Sequence, residues 1–175
     1  MKDKIKLIAL DVDGVLTDGK LLIGPDGKEL KSFHVKDGMG ISLARFSGIK
    51  IAIISGRKSE AVRIRARELN IDFLYEGITH KVNALAEIAA SLNIEFKNVF
   101  YMGDDINDLP IINSAGISAA PIDAADIVKK SVTFVSQFHG GNGAVREAIE
   151  YVLSQQVNYG ELVSNYLIEL EGTAQ

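Results

Sequence analysis

The sequence has no cysteine among its 175 residues. Disulfides, thiolate metal sites and a cysteine nucleophile are therefore excluded. Long hydrophobic runs are missing too. Every apolar stretch falls far short of the roughly 20 residues that cross a bilayer, so no membrane partner is expected. Basic charge is not in excess: 19 Lys and Arg stand against 23 Asp and Glu, for a net charge of -4. That balance argues against nucleic acid as a partner, which calls for a basic face or stripe. It leaves room for a small anionic substrate, because a few lysines in a cleft dominate locally. Met1 to Lys6 lacks an apolar stretch after a basic region, so no secretory signal is expected. Together with the absent cysteine, this makes the cytoplasm the expected location. Internal repeats and low-complexity segments are also missing.

What is present suits one globular domain with a real core: 47% hydrophobic and 24% charged residues. Short apolar runs end abruptly in polar residues, as buried parallel strands do where they leave a sheet. Ile5 to Leu10 ends at Asp11-Val12-Asp13-Gly14. Lys50 to Ile54 ends at Ser55-Gly56, and Phe73 to Tyr75 at Glu76-Gly77. Val99 to Met102 ends at Gly103-Asp104-Asp105, Ile117 to Ala120 at Pro121, and Val132 to Val135 forms a further run. Helical segments are predicted between them, over Gly40 to Phe46, Ser59 to Leu69 with Ser59 as a cap, Lys81 to Leu92, Ile106 to Ser114 and Ala144 to Ser154. The alternation predicts an open, doubly wound α/β sheet of Rossmann type, mainly parallel, with helices on both faces. Ligands of such sheets bind beyond the carboxyl ends of the strands, which is where the polar residues gather.

One stretch breaks the alternation. Lys20 to Ile23 and Lys28 to Val35 flank Gly24-Pro25-Asp26-Gly27, whose Pro-Asp-Gly turns by a known mechanism. This predicts a β-hairpin, residues 19–36, inserted directly after the first strand. No other insertion is long enough for a cap domain. The expected organisation is a main domain over 1–154 and a helical tail over 155–175.

The strand ends carry the chemistry. Asp11 and Asp13 lie two apart, so an extended chain puts both on one side. One carboxylate is suited to attack phosphorus and the other to handle the leaving-group proton. Gly14 allows close approach of the backbone to a phosphoryl group, and neighbouring amides suit its oxygens. A turn-starting Asp11 and a helix-capping Asp13 would give the same pair. Asp104 and Asp105 repel each other unless a cation is near. Mg2+ takes hard oxygen ligands and keeps several waters, so Asp104 and Asp11, with the Asp13 carbonyl, suffice to share one ion. Asp is also favoured at a helix N-terminus, and Asp108, one turn on, fits that role better. Ser55 offers a hydroxyl to a phosphate oxygen, and Lys81 a charge for the transferring group. A loose phosphoryl-transfer transition state asks mainly for such positioning and charge.

These residues resemble the haloacid dehalogenase superfamily. Asp11-Val12-Asp13-Gly14-Val15-Leu16-Thr17 is similar to its first motif, and Ser55, Lys81 and Gly103-Asp104-Asp105 to the other three, over about residues 5–150. The resemblance implies Asp11 as nucleophile, Asp13 as general acid/base, Ser55 and Lys81 as phosphate ligands, and Asp104 as a magnesium ligand. Asp105 would support the metal or orient Lys81. Asp18-Gly19, Phe33-His34-Val35-Lys36-Asp37-Gly38, Ser55-Gly56-Arg57-Lys58-Ser59 and Gly140 to Glu147 resemble the capless 3-deoxy-D-manno-octulosonate 8-phosphate (KDO 8-phosphate) phosphatases. That family implies a homotetramer whose hairpins help close neighbouring sites, in lipopolysaccharide precursor synthesis. Arg57, Lys58 and Arg146 become candidates for a sugar carboxylate, since arginine suits planar carboxylates. Gly56 joins Ser55 in the expected substrate loop. Surface charge pairing explains the basic residues as well. His34, His80 and His139 each read as structural or as a substrate-side polar contact, and His34, near the hairpin's return, is the best functional candidate of the three. Val157 to Leu170 has apolar spacing for a packed helix and departs from the plain ending of that family, which keeps nine-carbon sugar-acid phosphates open as substrates. A phosphoacceptor receiver and a purely oligomer-building scaffold are the non-enzymatic alternatives.

Overall fold

The computed structural model describes residues 4–172. The chain runs β1 (Leu7–Leu10), β2 (Leu22–Ile23), β3 (Glu29–Leu30), α1 (Val35–Phe46), β4 (Lys50–Ser55), α2 (Glu60–Glu68), β5 (Phe73–Glu76), α3 (Lys81–Leu92), β6 (Val99–Met102), α4 (Leu109–Ile112), β7 (Ile117–Ala120), α5 (Asp126–Lys129), β8 (Phe134–Val135), α6 (Ala144–Gln156) and α7 (Tyr159–Gly172). Six strands form one sheet in the order β5-β4-β1-β6-β7-β8, and β2-β3 pair separately. Each pairing within the large sheet is parallel. The expected open α/β sheet is therefore present.

β1 sits at the centre, with Leu7 opposite Lys50 of β4 on one side and Val99 of β6 on the other. Its run is continuously apolar because both of its faces are covered. Ile8 and Leu10 join Ile41 and Ala44 of α1, Val62 of α2 and Ile149 of α6. Leu7 and Ala9 join Leu85 and Ile88 of α3, Ile111 and Ile112 of α4 and Val128 of α5. From β1 the chain builds outward to β4 and β5, then crosses to β6, β7 and β8. The strand order thus reverses beside β1, and the crevice at such a reversal is where open sheets bind ligands.

Several boundaries differ from the sequence expectation. The hairpin turn forms as expected, with the Gly24 N–H donating to the Lys28 carbonyl at 2.8 Å. Its strands are shorter, and Val35 opens α1 instead of ending a strand. The cause is His34, whose ring nitrogen accepts the Lys36 N–H at 3.2 Å and caps the helix. Buried Asp37 then accepts the N–H groups of Gly143 at 3.4 Å and Arg146 at 2.9 Å, joining α1 to the start of α6. An acid near a helix N-terminus satisfies its free donors and its dipole together. Ser59 precedes α2 without a side-chain cap. Its N–H donates instead to Glu76 at 2.8 Å. Helix α7 lays Tyr159, Leu162, Val163 and Tyr166 on the core, with Tyr166 edge-on to Phe46 at 5.3 Å between ring centres. Among the described residues, no helix is long and apolar enough to cross a membrane.

Candidate active site

β1 delivers Asp11 to the carboxyl edge of the sheet. The Asp11 N–H still donates to the Met102 carbonyl of β6 at 3.0 Å, so the residue is fixed by the ladder up to its side chain. One carboxylate oxygen accepts the Val12 N–H at 2.7 Å, and the other lies 2.9 Å from Lys81 Nζ. The chain then turns tightly: the N–H groups of Val15, Leu16 and Thr17 converge on the Val12 carbonyl at 3.2, 2.9 and 3.0 Å. This turn needs Gly14, which has φ of +85° and whose added Cβ would lie 2.0 Å from Asp104 Oδ2. The first acidic loop and the Asp104 loop are therefore in direct contact.

Lys81, the first residue of α3, is buried among acids. Its Nζ lies 2.7 Å from Asp108 Oδ1 and 3.3 Å from the Tyr101 hydroxyl. Tyr101 donates to the same Asp108 oxygen at 2.7 Å. The second Asp108 oxygen accepts the Asp104 N–H at 3.0 Å. Asp108 thus ties the lysine to the loop that carries Asp104. The resemblance implied that Asp105 supports the metal or orients Lys81, and in the structure Asp108 is the residue that contacts Lys81. Asp105 is exposed, and its carboxylate caps a 3-10 turn by accepting the Ile106 N–H at 2.8 Å. The Asp108 role was hidden because an aspartate at the start of a helix looks like an ordinary cap. Tyr101 was hidden inside an apolar strand run.

Oxygens of Asp11, Asp104 and Asp108 all lie within 4.8 Å of one another. Three carboxylates face one ammonium. Burial first, then the neighbouring Asp108, pushes the Asp11 carboxyl up to about 6 against the pull of Lys81. Burial, then Asp11, Asp108 and Asp105, pushes Asp104 up to about 7. Burial works against the Lys81 charge, yet Asp11 and Asp108 outweigh it and raise its pKa. An uncompensated cluster of hard oxygens fits a divalent cation. Asp108 is engaged by Lys81, Tyr101 and the Asp104 amide, which leaves Asp11 and Asp104 as the side chains suited to hold it.

The remaining predicted residues separate into two groups. Ser55 ends β4 beside β1, buried, and its hydroxyl accepts the Arg57 N–H at 3.2 Å. Asp13 is ion-paired with Lys31 of the hairpin, a partner that sequence reasoning missed. Arg57 Nε lies 4.0 Å from Asp13, and its guanidinium pairs with Glu29 at 2.7 Å. Gly56, Arg57 and Lys58 are exposed at this edge. By contrast, Arg146 bonds to the Tyr159 hydroxyl at 3.2 Å and pairs with Glu150. With His34, Lys36 and Phe138 it lines a surface cavity of about 600 Å³. Arg146 and His34 therefore lie at the α1–α6 junction, beside that cavity. His139 stands 3.3 Å from Asp123.

The sheet, the hairpin and this arrangement of acids around a lysine define a haloacid dehalogenase-like hydrolase, and that family matches residues 74–149. The chain is 42% identical to the 3-deoxy-D-manno-octulosonate 8-phosphate phosphatase KdsC of Escherichia coli K12, over 88% of this chain and 82% of that one. It belongs to the family of these phosphatases. Among solved structures, the enzyme of that name from Moraxella catarrhalis, in complex with magnesium, phosphate and KDO, superposes with a TM-score of 0.89 at 38% identity. The match covers 93% of both chains. The cobalt-bound form of the Haemophilus influenzae phosphatase gives a TM-score of 0.84 at 39% identity, over 87% of this chain and 90% of that one.

Proposed function

We propose that this protein is a magnesium-dependent phosphatase that hydrolyses KDO 8-phosphate to the free sugar acid and phosphate, in lipopolysaccharide precursor synthesis. The observation that carries this reading is Lys81 held between Asp11 and Asp108 at 2.9 and 2.7 Å, with Asp104 beside them at the carboxyl edge of the sheet. Membership of the KdsC family supports the sugar-acid substrate.

In this reading a carboxylate oxygen of Asp11 attacks phosphorus and the bond to the sugar oxygen breaks. The departing oxygen takes a proton from Asp13. Asp13 then removes a proton from water, whose oxygen attacks the phosphorus of the aspartyl phosphate and frees Asp11 and inorganic phosphate. Lys81 neutralises charge on the transferring group, and Ser55 donates to one of its oxygens. Mg2+, held by Asp11 and Asp104, supplies further charge stabilisation when bound. Arg57 and Lys58, exposed at the same edge, meet the sugar-acid end. The reading includes a homotetramer in the cytoplasm, supported by the exposed apolar residues of the hairpin, Leu21, Leu22, Ile23 and Leu30. Light scattering tests the tetramer.

The deciding experiment is phosphate release with Mg2+, with and without chelator. Its panel holds KDO 8-phosphate, nine-carbon sugar-acid 9-phosphates and hexose phosphates. The expected result is chelator-sensitive preference for KDO 8-phosphate. Preference for a nine-carbon acid would move the substrate, and no release from any compound would sink the phosphatase reading.

A further inference from the structure

The returning strand of the hairpin brings two charged side chains over the site. Glu29 and Lys31 are two residues apart and so face the same way, while Leu30 between them is 63% exposed. The Lys31 side chain is only 1% exposed, and lysine is rarely buried unless paired. It pairs with Asp13 and lies 2.8 Å from Glu29 Oε1. That Glu29 oxygen makes an ion contact without an aligned hydrogen bond. The other Glu29 oxygen pairs with Arg57 at 2.7 Å, and Arg57 Nε returns to within 4.0 Å of Asp13 Oδ2. Asp13, Lys31, Glu29 and Arg57 therefore close a ring of alternating charge.

We propose that Lys31, anchored by Glu29, is a positioning residue for Asp13. Holding Oδ1 fixes the rotation of the Asp13 carboxylate and leaves Oδ2 for the proton transfers. Lys31 transfers no proton itself. Without it Asp13 Oδ1 loses its partner, and Arg57, 4.0 Å from Oδ2 and engaged by Glu29, lies beyond hydrogen-bond distance and does not fix the carboxylate. The hairpin thereby acts on the chemistry of its own chain, beyond any part it plays between subunits. The Glu29–Arg57 pair further links this ring to the residue suited to the sugar carboxylate.

This inference rests on the phosphatase reading, and its test separates the two. Steady-state kinetics with KDO 8-phosphate and Mg2+ are measured for the wild type, Lys31→Met, Lys31→Arg, Glu29→Gln and the Lys31→Met/Glu29→Gln double variant. Misplacing a reacting group by an ångström costs about a hundredfold, so Lys31→Met is expected to lower kcat by about that factor. KM should stay within about threefold, because the interaction acts in the transition state. Lys31→Arg, which keeps the charge, should recover at least about tenfold of the loss. Glu29→Gln should lower kcat about tenfold in the wild-type background and be silent on kcat in the Lys31→Met background, since it acts through the lysine. A Lys31→Met enzyme with kcat within about threefold of wild type, or with a loss confined to KM, overturns the inference alone. If Lys31→Met does not fold, Glu29→Gln decides: a wild-type melting temperature with lowered kcat supports the inference, and unchanged kcat overturns it. A wild-type chain that releases no phosphate overturns the phosphatase reading and this inference with it.

Discussion

The carboxylate of Asp108 holds the ammonium of Lys81 at 2.7 Å, with the aspartate side chain 0% and the lysine side chain 3% exposed. The same carboxylate takes the Tyr101 hydroxyl and the Asp104 N–H. One acid thus sets the places of the ammonium and of the loop that carries Asp104.

Asp108→Asn separates this role from that of Asp105. An asparagine keeps the shape but offers one acceptor atom where two are used. Its NH2 would face either the Lys81 and Tyr101 donors or the Asp104 N–H. Loss of their alignment is expected to lower kcat about a hundredfold. Asp105→Asn keeps an equally good cap for the exposed 3-10 turn and should leave kcat within about threefold. Parallel kinetics on the two variants check the assignment, and equal losses would return Asp105 to the site.

Asp11→Asn is expected to abolish turnover, because an amide does not attack phosphorus. Lys81→Ala removes an ammonium that, among the described residues, alone contacts both Asp11 and Asp108. It should cost at least about 3 kcal/mol of transition-state stabilisation, read as a loss of over about a hundredfold in kcat/KM. Quenched single-turnover reactions distinguish the two: Asp11→Asn accumulates no phosphoryl-protein at all, whereas Lys81→Ala forms it slowly. A normal kcat/KM for Lys81→Ala removes the lysine from the chemistry.

Gly14→Ala tests the contact between the two acidic loops. Its Cβ would come within 2.0 Å of Asp104 Oδ2 on a backbone with φ of +85°. The left-handed conformation costs a non-glycine residue roughly 1–3 kcal/mol, and the clash displaces a carboxylate suited to the metal. The variant should melt lower and bind Mg2+ more weakly by calorimetry. Mg2+ affinity equal to wild type would mean that Asp104 is not a ligand.

Legibility in the sequence followed the strength of local signals. The β1 run could be read because burial on both faces forces continuous apolar residues, and the abrupt change to acids at its end then marked the crevice. α3 begins at Lys81 and ends at Leu92, as its apolar spacing predicts. The start of α1 was not legible, since a histidine cap and two glycines, Gly38 and Gly40, disguise its first turns. Asp108 and Lys31 depend on contacts 27 and 18 residues away in the chain, and no local pattern reports those. For Lys31 one weak signal existed: its two-residue spacing from Glu29 places both charges on one face of the hairpin. Arg146 carried a resemblance to the family, and its contacts with Glu150 and Tyr159 could not be read from that resemblance.

The acid cluster also predicts how pH and Mg2+ act together on stability. Asp11 and Asp104 are raised from 3.8 to about 6 and about 7, chiefly by burial. A carboxyl group whose pKa is higher in the folded chain binds its proton more tightly there. Its contribution to stability is full below the unfolded value and fades as pH rises through the folded one. The metal-free protein should therefore lose melting temperature between about pH 4 and pH 7, from these two groups, and level off above that range. A divalent cation binds the ionised form and so stabilises most where the protons are gone. Stabilisation follows the ratio of free ion to dissociation constant, about 2.7 kcal/mol at a hundredfold excess. Melting curves with chelator and with Mg2+ at pH 5 and pH 8 are the check. The Mg2+-induced rise should be small at pH 5 and large at pH 8, and the Asp104→Asn variant should flatten the difference. A rise of equal size at both values would mean that the cation binds away from Asp11 and Asp104.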